Sequence, residues 1–372
     1  MSDPSFEQAK ALFLSGLARY EAGQYAQAEQ QFLSSLALLP QRVSTLVNLA
    51  AVRLKLGRPQ EALQVADHVL ALEPANGDAL LHRANALLQL NQQAQALQSF
   101  EQLLEVDPTL APVWSTRGDI LRELGRLPEA AHAYRQAISH GGDAELCGYY
   151  LAALGTQPSP TVAPRAYVEG LFDDYAAQFE QHVVQALHYR AHEVLAQPLA
   201  ALHRARFNSA LDLGCGTGLC GPLVKPLAQR LVGVDLSSQM LARAQALGVY
   251  DELVHADIAE HLQATPERHD LVLAADVFIY IGELSSIFAA VSRRMDAGGV
   301  FCFSTEVASP GAEGFELLPS LRYAHSQTYL RALADAHGFE VARLVQEPIR
   351  EDQRKAVDGV FVHLVKRPSS KE

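Results

Sequence analysis

The chain has 372 residues and a formal net charge of −12, which limits the classes of protein it can belong to. The length suits two domains of ordinary size, and a hydrophobic content of 49% is enough to give each domain a core. The acidic balance disfavours general nucleic-acid binding, because phosphate binding depends on a high density of lysine and arginine. No apolar run reaches about 18 residues, so we expect no membrane span.

The four cysteines are Cys147, Cys215, Cys220 and Cys302. They form no CxxC pair, and no histidine lies at zinc-finger spacing from them, so the sequence predicts neither a disulfide framework nor a metal site. Reduced thiols are typical of the cytoplasm, and residues 1–6 lack the basic and apolar regions of a signal peptide. We therefore expect a cytoplasmic protein, and the sequence leaves its oligomeric state open.

The first half of the chain repeats with a period of 34 residues, and four columns of residues keep this period. The columns are Gly23, Gly57, Asn91 and Gly125; Ala28, Ala62, Ala96 and Ala130; Phe32, Ala66, Phe100 and Tyr134; and Pro40, Pro74 and Pro108, with Gly142 in the fourth place. Glycine or asparagine supplies the left-handed residue that ends a first helix, and proline ends a second helix. The small alanine lets the two helices approach closely. Each unit is therefore a helix–turn–helix, and its length is that of a tetratricopeptide repeat.

The units closely resemble tetratricopeptide repeats, for example in Gly23-Gln-Tyr-Ala-Gln-Ala28 and Gly57-Arg-Pro-Gln-Glu-Ala62. We place four repeats at about 9–142, and the resemblance implies an all-α solenoid whose concave groove takes a protein or peptide partner. By the family pattern, the groove carries Phe13, Leu17, Tyr20, Val47, Ala51, Leu54, Leu81, Asn85, Leu88, Asp119 and Arg122. The alternative is that the repeats serve only dimerisation or packing against the second domain.

A linker rich in glycine and proline follows the repeats and marks a domain boundary. The sequence predicts a short capping helix at 144–154, before prolines at 158, 160 and 164. We place the repeat domain at residues 1–143, the capping helix and linker at 144–165, and a second domain at 166–372.

A glycine-rich turn follows the first predicted strand of the second domain, in the stretch Leu-Asp-Leu-Gly-Cys-Gly-Thr-Gly at 211–218. Glycines at these positions let the backbone approach a ligand closely. A dinucleotide site requires glycine at position 219, where this chain has leucine. The spacing Gly-x-Gly-x-Gly is instead the form that holds the methionine part of S-adenosylmethionine.

Acidic residues end the strands that follow this turn. Asp235 closes a strand at 230–234, where a carboxylate can accept both hydroxyl groups of a ribose. Asp257 comes one strand later, where an acid suits the adenine amino group, and Asp276 closes an apolar strand at 269–275. Strands alternate with helical stretches, which predicts a parallel sheet covered on both faces, with its ligand at the carboxyl ends of the strands.

Residues 165–368 resemble a class I S-adenosylmethionine-dependent methyltransferase. The motifs that carry the resemblance lie at 211–218, 232–237, 256–258 and 274–282. With the preceding repeats and the stretch Leu-Phe-Asp-Asp-Tyr-Ala-Ala-Gln-Phe-Glu at 171–180, the chain is similar to bacterial methyltransferases that carry tetratricopeptide repeats. The resemblance implies an α/β doubly wound, Rossmann-like, seven-stranded domain, with a final antiparallel hairpin at about 339–345 and 359–365.

The resemblance also implies roles for individual residues toward S-adenosylmethionine. It assigns the methionine end to Asp212, Gly214, Cys215, Gly216 and Gly218, the ribose to Asp235, the adenine to Leu236, Met240, Asp257 and Ile258, and the sulfonium to Asp276 with Val277. Tyr175 and Phe179, one helical turn apart, are expected to close over the cofactor as a lid, although such a pair also packs in cores. The alternative for Asp212 and Asp257 is a role as helix caps or turn residues.

Methyl transfer from a sulfonium is an in-line displacement with a neutral leaving group. The protein therefore mainly aligns the reactants and, where the acceptor needs it, removes a proton. The candidates for a base or orienting group are Asp276, Tyr280, His182 and His325; the alternative is a structural role for His325 and simple packing for Tyr280. The stretch at 276–280 lacks the prolines of the [Asn/Asp]-Pro-Pro-[Tyr/Phe] motif, which disfavours methylation of amide and base-ring nitrogens.

Three functions remain open at this point. The first is a methyltransferase whose repeats recruit a protein substrate, and the second is a small-molecule methyltransferase whose repeats only tether or dimerise it. The third is a scaffold that has lost activity, which the intact glycines and the three acidic positions disfavour.

Overall fold

The computed structural model describes residues 4–176, 179, 187–202, 206–352 and 355–368. The chain divides into two structural units, 1–147 and 148–372. The division therefore falls inside the segment that we predicted as a capping helix and linker. The observed helix there is α9 (Ala144–Ala153).

Sequence-adjacent helix pairs build the first unit. The described helices before α9 are α1 (Pro4–Glu21), α2 (Tyr25–Leu38), α3 (Val43–Lys55), α4 (Pro59–Leu72), α5 (Gly77–Gln89), α6 (Gln93–Val106), α7 (Ala111–Glu123) and α8 (Leu127–Ser139). They form four helix–turn–helix repeats, which confirms the architecture predicted from the 34-residue period.

Each column of the repeat has the conformation that its residue type predicts. The residues between the paired helices have positive φ angles: 72° at Gly23, 69° at Gly57, 57° at Asn91 and 73° at Gly125. Asparagine at one of these positions is informative, because it is one of the few residues besides glycine that tolerates the left-handed region. The four alanines of the next column are fully buried. Each proline follows its second helix by two residues, as at Leu38 and Pro40.

Small residues on the first helices face the aromatic column of the second helices. Gly16, Ala50, Ala84 and Gly118 keep the same period of 34 residues. A Cβ atom added at Gly118 would lie 2.6 Å from the ring of Tyr134, which is fully buried and donates a hydrogen bond to Asp119 at 2.8 Å. The ring therefore cannot move aside, and glycine at 118 allows the two helices to pack.

The predicted groove lies on the first helix of each repeat. Val47 is only 8% exposed and packs in the repeat core, so this residue is not available to a groove ligand. The other ten predicted groove residues, including Leu54 and Leu88, are half-buried. They remain the surface on which a partner is expected.

We predict that Gly118→Ala destabilises the first unit by about 1–3 kcal/mol, because the added methyl group overpacks against the fixed Tyr134 ring. Gly77→Ala is the matched control, since its Cβ atom would meet Leu103 at 3.4 Å, an ordinary contact. Urea unfolding followed by circular dichroism measures both variants. Equal stability of the two variants would show that the ring and the glycine do not constrain each other.

One mixed sheet forms the centre of the second unit. Its strands are β1 (Phe207–Leu213), β2 (Ala228–Asp235), β3 (Glu252–His255), β4 (Leu271–Ala274), β5 (Val300–Val307), β6 (Phe315–Leu317), β7 (Tyr323–His325), β8 (Phe339–Asp352) and β9 (Lys355–Lys366). Strands β3, β2, β1, β4 and β5 are neighbours in that order and parallel. Strand β9 pairs antiparallel with β5 and with β8, which gives the predicted final hairpin.

The described sheet has nine strands, so the predicted number of seven was wrong. The seven expected strands are present in the order β3-β2-β1-β4-β5-β9-β8. The additional pair is β6 and β7, and β7 runs parallel to β5 at Glu306 and Val307. Each additional strand has three residues, which is too short to give a recognisable alternation in the sequence.

Helices cover both faces of the sheet. They are α10 (Arg165–Tyr175), α11 (Ala191–Ala196), α12 (Leu199–Leu202), α13 (Gly221–Val224), α14 (Ser238–Leu247), α15 (Ile258–Ala264), α16 (Ser285–Arg293) and α17 (Gln327–Ala336). Adjacent residues of one strand point into different cores: Leu211 and Leu213 lie in one cluster and Ala210 in the other. The helix that we predicted after the glycine-rich turn is short, because α13 has four residues.

The described part of the chain shows neither a membrane span nor a metal-binding cluster. None of the helices found there combines the length and the apolar character that a membrane span needs. The same residues contain no group of three or more histidine, cysteine, aspartate or glutamate side chains suited to a metal ion. All four cysteines are buried and free.

Candidate functional site

The predicted site residues of the second unit gather at one edge of the sheet. Asp212 is the next-to-last residue of β1, Asp235 ends β2, and Asp276 follows β4 by two residues. Because these strands are parallel, their carboxyl ends meet at the same edge. The fold therefore brings together residues that are up to 64 positions apart in the sequence, counted from 212 to 276.

The three glycines after β1 are needed for different reasons. All have positive φ angles, of 64° at Gly214, 55° at Gly216 and 92° at Gly218. A Cβ atom at Gly214 would collide with Val277, and one at Gly218 would lie 2.8 Å from Leu247. At Gly216, by contrast, a Cβ atom would meet nothing within 4 Å. Gly216 therefore borders open space, as a backbone that lies against a ligand would.

Asp212 is an almost fully buried carboxyl group at the base of this turn, with 1% exposure. Its Oδ2 atom accepts a hydrogen bond from the Tyr250 hydroxyl at 2.7 Å, while its Oδ1 atom has no partner in the structure. Burial raises the pKa of Asp212 to about 7, against the smaller opposing effect of Tyr250. A buried oxygen without a donor suits a cationic or hydrogen-bonding ligand group beside it.

Asp235 joins the ends of the first two strands. Its Oδ2 atom accepts a hydrogen bond from the Gly216 backbone at 2.8 Å, and its Oδ1 atom accepts one from the Ser237 backbone at 2.8 Å. The side chain is buried, and burial raises its pKa. Each carboxylate oxygen still has acceptor capacity for a ribose hydroxyl, so the carboxylate can shape the turn and bind sugar.

Asp257 caps a helix, which is the alternative that the sequence left open. Its Oδ1 atom accepts hydrogen bonds from the Ala259 and Glu260 backbones at the start of α15. Both bonds go to one oxygen, so the Oδ2 atom is available to a second donor such as an amino group. Ile258 and Met240 are buried, with 7% and 1% exposure, whereas Leu236 is half-buried.

Asp276 has an unusual backbone and a buried partner. Its φ angle is 59°, a region that aspartate tolerates better than most residues, and its amide donates to the Ser304 hydroxyl at 2.8 Å. Its carboxylate pairs with Arg350 at 3.2 Å, and the Arg350 side chain is 4% exposed. Arg350 also hydrogen-bonds Glu306, whose side chain is 6% exposed. Strand β8 thus fixes the position of Asp276.

Tyr280 and His325 were predicted as candidates for a base, and both are buried. Burial raises the pKa of Tyr280 to about 12, so its hydroxyl is protonated at neutral pH and suits a donor role. His325 is fully buried: its Nδ1 atom shares a hydrogen bond with the Thr305 hydroxyl, and its Nε2 atom lies 3.0 Å from the Gly282 carbonyl oxygen. Burial lowers the pKa of His325 to about 4. Both nitrogens are engaged, which favours the structural alternative over a role as a base.

The predicted lid involves helix α10 and the residues after it. His182 lies outside the described residues, as does the side chain of Tyr175. Phe179 is half-buried, and its ring centroid lies 6.3 Å from that of Phe172. Phe172 in turn contacts Tyr280 edge-on at 5.5 Å, so α10 reaches the Tyr280 side of the site.

A second contact of α10 reaches the end of β2. Asp173 accepts a hydrogen bond from the Ser237 hydroxyl at 2.5 Å, and Ser237 caps α14 by accepting from the Met240 backbone. Helix α10 therefore spans from the Asp235 side of the site to the Tyr280 side. The sequence indicated a lid in this segment but did not single out Phe172 or Asp173.

Other site residues also escaped the sequence analysis. Tyr250 donates a hydrogen bond to Asp212, and burial, with a further contribution from Asp276 and Asp212, raises the pKa of Tyr189. Arg350 and Glu306 complete the buried ion pairs. The alternation of residues along a strand can predict that Arg350 and Glu306 lie in strands, but it cannot predict their partners. No local motif marks an arginine that pairs with a carboxylate 74 positions earlier.

Family models match both halves of the chain. Residues 211–303 match a model described as a methyltransferase domain. Residues 53–120 and 111–139 match two models described as tetratricopeptide repeats. The first match contains the glycine-rich turn, Asp235, Asp257 and Asp276.

Known proteins are similar to the second half. A probable S-adenosylmethionine-dependent methyltransferase from Mycolicibacterium smegmatis is 30% identical over 156 residues, which cover 41% of this chain and 59% of that protein. A malonyl-[acyl-carrier protein] O-methyltransferase from Enterobacter lignolyticus is 31% identical over 157 residues, covering 42% of this chain and 57% of that protein. This chain thus spans less than two thirds of the length of either relative.

A solved structure of magnesium protoporphyrin IX methyltransferase from Synechocystis, with bound S-adenosylhomocysteine, aligns at 17% identity and a TM-score of 0.42. The alignment covers 55% of this chain and all of that chain, 100%. From the family models, the chain contains a methyltransferase domain at 211–303 preceded by tetratricopeptide repeats, and its second half is similar to S-adenosylmethionine-dependent methyltransferases.

The residues present at the site fit S-adenosylmethionine. The open space at Gly216 leaves room for a ligand against the backbone, and Asp212 offers a buried oxygen without a donor. The Thr217 hydroxyl is likewise buried without a partner in the structure. A ligand with an amino group and a carboxylate, such as the methionine part of the cofactor, supplies partners for both kinds of group.

The raised pKa of Asp212 predicts a pH-dependent stability. Since its folded-state pKa of about 7 exceeds the ordinary value of 3.8 for an aspartate, the ionisation of Asp212 costs stability as the pH rises from about 4 to 7. Asp212→Asn removes this loss, so we expect the variant to gain stability relative to the native chain as the pH rises through this window. Urea unfolding at several pH values measures the difference.

The control for this measurement is Asp335→Asn, because the Asp335 side chain is 76% exposed. We expect its stability difference from the native chain to change little with pH. A stability difference for Asp212→Asn that stays constant between pH 4 and 7 would show that Asp212 ionises normally in the folded protein.

Proposed function

We propose that this protein transfers the methyl group of S-adenosylmethionine to an acceptor, and that its repeats recruit a protein partner or substrate. The observation that carries the first part is the glycine-rich turn at 214–218, which combines open space at Gly216 with the buried carboxylates of Asp212 and Asp235. The name of the Enterobacter lignolyticus relative specifies an oxygen acceptor, which supports oxygen as the acceptor atom here.

The proposed mechanism is mainly one of alignment. When bound, the cofactor supplies an electrophilic methyl group on a positively charged sulfur. Asp212 and the turn hold the methionine end, Asp235 binds the ribose, and Asp257 binds the adenine amino group through its free oxygen. Asp276 faces the reacting centre in an orientation fixed by Arg350, and Phe172 with Phe179 excludes water from above.

The repeats support a recruiting role because their first helices present half-buried apolar residues such as Leu54 and Leu88. Tetratricopeptide solenoids use this concave face to bind peptides. The second candidate is a small-molecule methyltransferase whose repeats only tether or dimerise it. The third candidate, an inactive scaffold, requires that the site bind the cofactor without transfer. Buried reduced thiols fit the cytoplasmic location that we propose.

We expect Gly216→Ala to weaken S-adenosylmethionine binding by about tenfold or more, because the added methyl group occupies space that the ligand needs. The matched control is Gly298→Ala. Gly298 also has a positive φ angle, 84°, and no atom within 4 Å of an added Cβ, but it precedes β5 at the opposite edge of the sheet. Isothermal titration measures both variants.

Both alanine variants carry a similar backbone strain of about 1–2 kcal/mol, so they are expected to lose similar stability. Only Gly216→Ala should lose affinity. Equal affinity of the two variants for S-adenosylmethionine would show that the turn at Gly216 does not contact the cofactor. Binding without any transfer to a lysate would favour the inactive scaffold.

We expect the double variant Leu54→Glu with Leu88→Glu to abolish transfer of labelled methyl groups to lysate proteins, because charges in an apolar groove oppose peptide binding. Its affinity for S-adenosylmethionine should not change. The control is Leu33→Glu with Leu72→Glu, on the second helices, where the two leucines are 44% and 37% exposed.

The readout of this comparison is the protein-bound label separated on a gel, with free small molecules counted in parallel. Label in small molecules alone, or protein label that the groove variant leaves unchanged, would reject recruitment of a protein substrate. Those outcomes favour the tethering alternative and leave the methyl-transfer proposal intact.

A further inference from the structure

The side of the site near Asp276 contains a partly buried group of charges whose function the cofactor does not explain. Its members are Asp276, Glu306, Arg322 and Arg350, and the charges of Arg322 and Asp276 affect the pKa of the nearby Tyr280. They lie after β4, in β5, before β7 and in β8. The sheet thus brings two cations and two carboxylates to the carboxyl edge, beside the proposed position of the methyl group.

The two arginines of this group have different surroundings. Arg350 is 4% exposed and forms ion pairs with Asp276 and Glu306. Its charge is therefore already paired within the protein. Arg322 is 30% exposed and lies 3.9 Å from Glu306, beyond hydrogen-bond distance, while Glu306 itself hydrogen-bonds Arg350. Arg322 is therefore the arginine of the pair that can turn its donors toward a ligand.

Tyr280 complements Arg322. The two side chains lie close enough for each to affect the pKa of the other, and the Phe172 ring packs edge-on against the Tyr280 ring at 5.5 Å. Burial acts to lower the pKa of Arg322, but the interactions with Tyr280, Asp276 and Glu306 raise it overall. A permanently charged guanidinium next to a phenol hydroxyl forms a pair of donors for a planar anion.

The described candidates for a proton acceptor are poorly suited to that role. His325 has both nitrogens engaged, Tyr280 is protonated at neutral pH, and Asp276 is held in an ion pair with Arg350. An acceptor that is already ionised at neutral pH needs no base. A carboxylate has this property, because its pKa of about 4 leaves it deprotonated.

We propose that the methyl acceptor presents a carboxylate, which Arg322 and Tyr280 bind beside Asp276, and that the product is a methyl ester. This inference rests on the proposed methyl transfer and names its acceptor class. One carboxylate oxygen forms the new O–C bond while the C–S bond of the donor breaks. The electron pair of that bond stays on sulfur, which becomes a neutral thioether, and no proton moves.

The test uses the full chain, S-adenosylmethionine labelled with tritium in its methyl group, and a bacterial lysate as the source of acceptors. Methyl esters hydrolyse in mild alkali and release volatile methanol, whereas N-methyl groups and methyl ethers do not. We expect most of the transferred label to become volatile after alkali treatment. Transferred label that resists alkali would overturn the carboxylate proposal while leaving methyl transfer in place.

Benzoate, with benzamide as its uncharged counterpart, tests recognition of the anion independently of the natural acceptor. We expect benzoate to inhibit label transfer and benzamide to have at least tenfold less effect, because the amide lacks the charge that pairs with Arg322. Equal inhibition by the two compounds would argue against an anion site.

Variants of the full chain assign the site to its residues. At limiting lysate, Arg322→Gln should reduce ester formation about 10–100-fold, with partial recovery at higher lysate concentration, since substrate binding is lost first. Arg322→Lys keeps the charge and should retain more activity than Arg322→Gln. Tyr280→Phe keeps the aromatic packing and should lose about tenfold.

Arg343→Gln is the matched control, because the Arg343 side chain is 31% exposed and lies seven residues before Arg350 in β8. We expect it to behave like the native chain. Titration with S-adenosylmethionine shows whether each variant is folded and binds the cofactor. The absence of binding heat when the native chain is titrated with S-adenosylmethionine would contradict the proposed function itself. Ester formation that Arg322→Gln leaves unchanged would overturn the assignment of the acceptor site.

Discussion

The buried carboxylate of Asp235 holds together the part of the structure on which everything else depends. It accepts hydrogen bonds from the backbones of Gly216 and Ser237, so the turn after β1 and the start of α14 take their positions from one side chain at the end of β2. Burial of this charge is costly unless it is well hydrogen-bonded, and the two amides offset the cost. The same bonds keep the backbone at Gly216 facing open space, where a ligand can lie directly against it.

A second set of buried charges organises the other side of the site. Arg350, which the chain supplies from the last hairpin, pairs with Asp276 after β4 and with Glu306 in β5. A buried ion pair contributes little net stability, since desolvation opposes the attraction, but it fixes the orientation of the groups it joins. The donor side and the acceptor side thus depend on different strands, and helix α10 contacts both, through Asp173 at Ser237 and Phe172 at Tyr280.

The sequence predicted those features that depend on local conformation. The 34-residue columns specified the repeats because a left-handed residue, a small residue and a proline each have a direct structural effect, as Asn91 illustrates. The glycine-rich turn and the acids that end the strands predicted the edge of the sheet at which the site lies. Strands β6 and β7 escaped prediction because three residues carry no periodic signal. The partners of Asp276 were not predicted, because pairing between distant residues leaves no local pattern in the sequence. The hydrogen bonds of the two His325 nitrogens likewise could be seen only in the structure.

The most direct measurement of the central claim is isothermal titration of the native chain with S-adenosylmethionine and, separately, with NAD. Both ligands contain an adenosine, and an acid at the end of β2 can bind the ribose of either one. They differ in the group that lies against the turn after β1, which is the methionine part in one ligand and the pyrophosphate in the other. We predict saturable heat at one site per chain with S-adenosylmethionine and none with NAD. No heat with S-adenosylmethionine, or saturable binding of NAD in its place, would contradict this account.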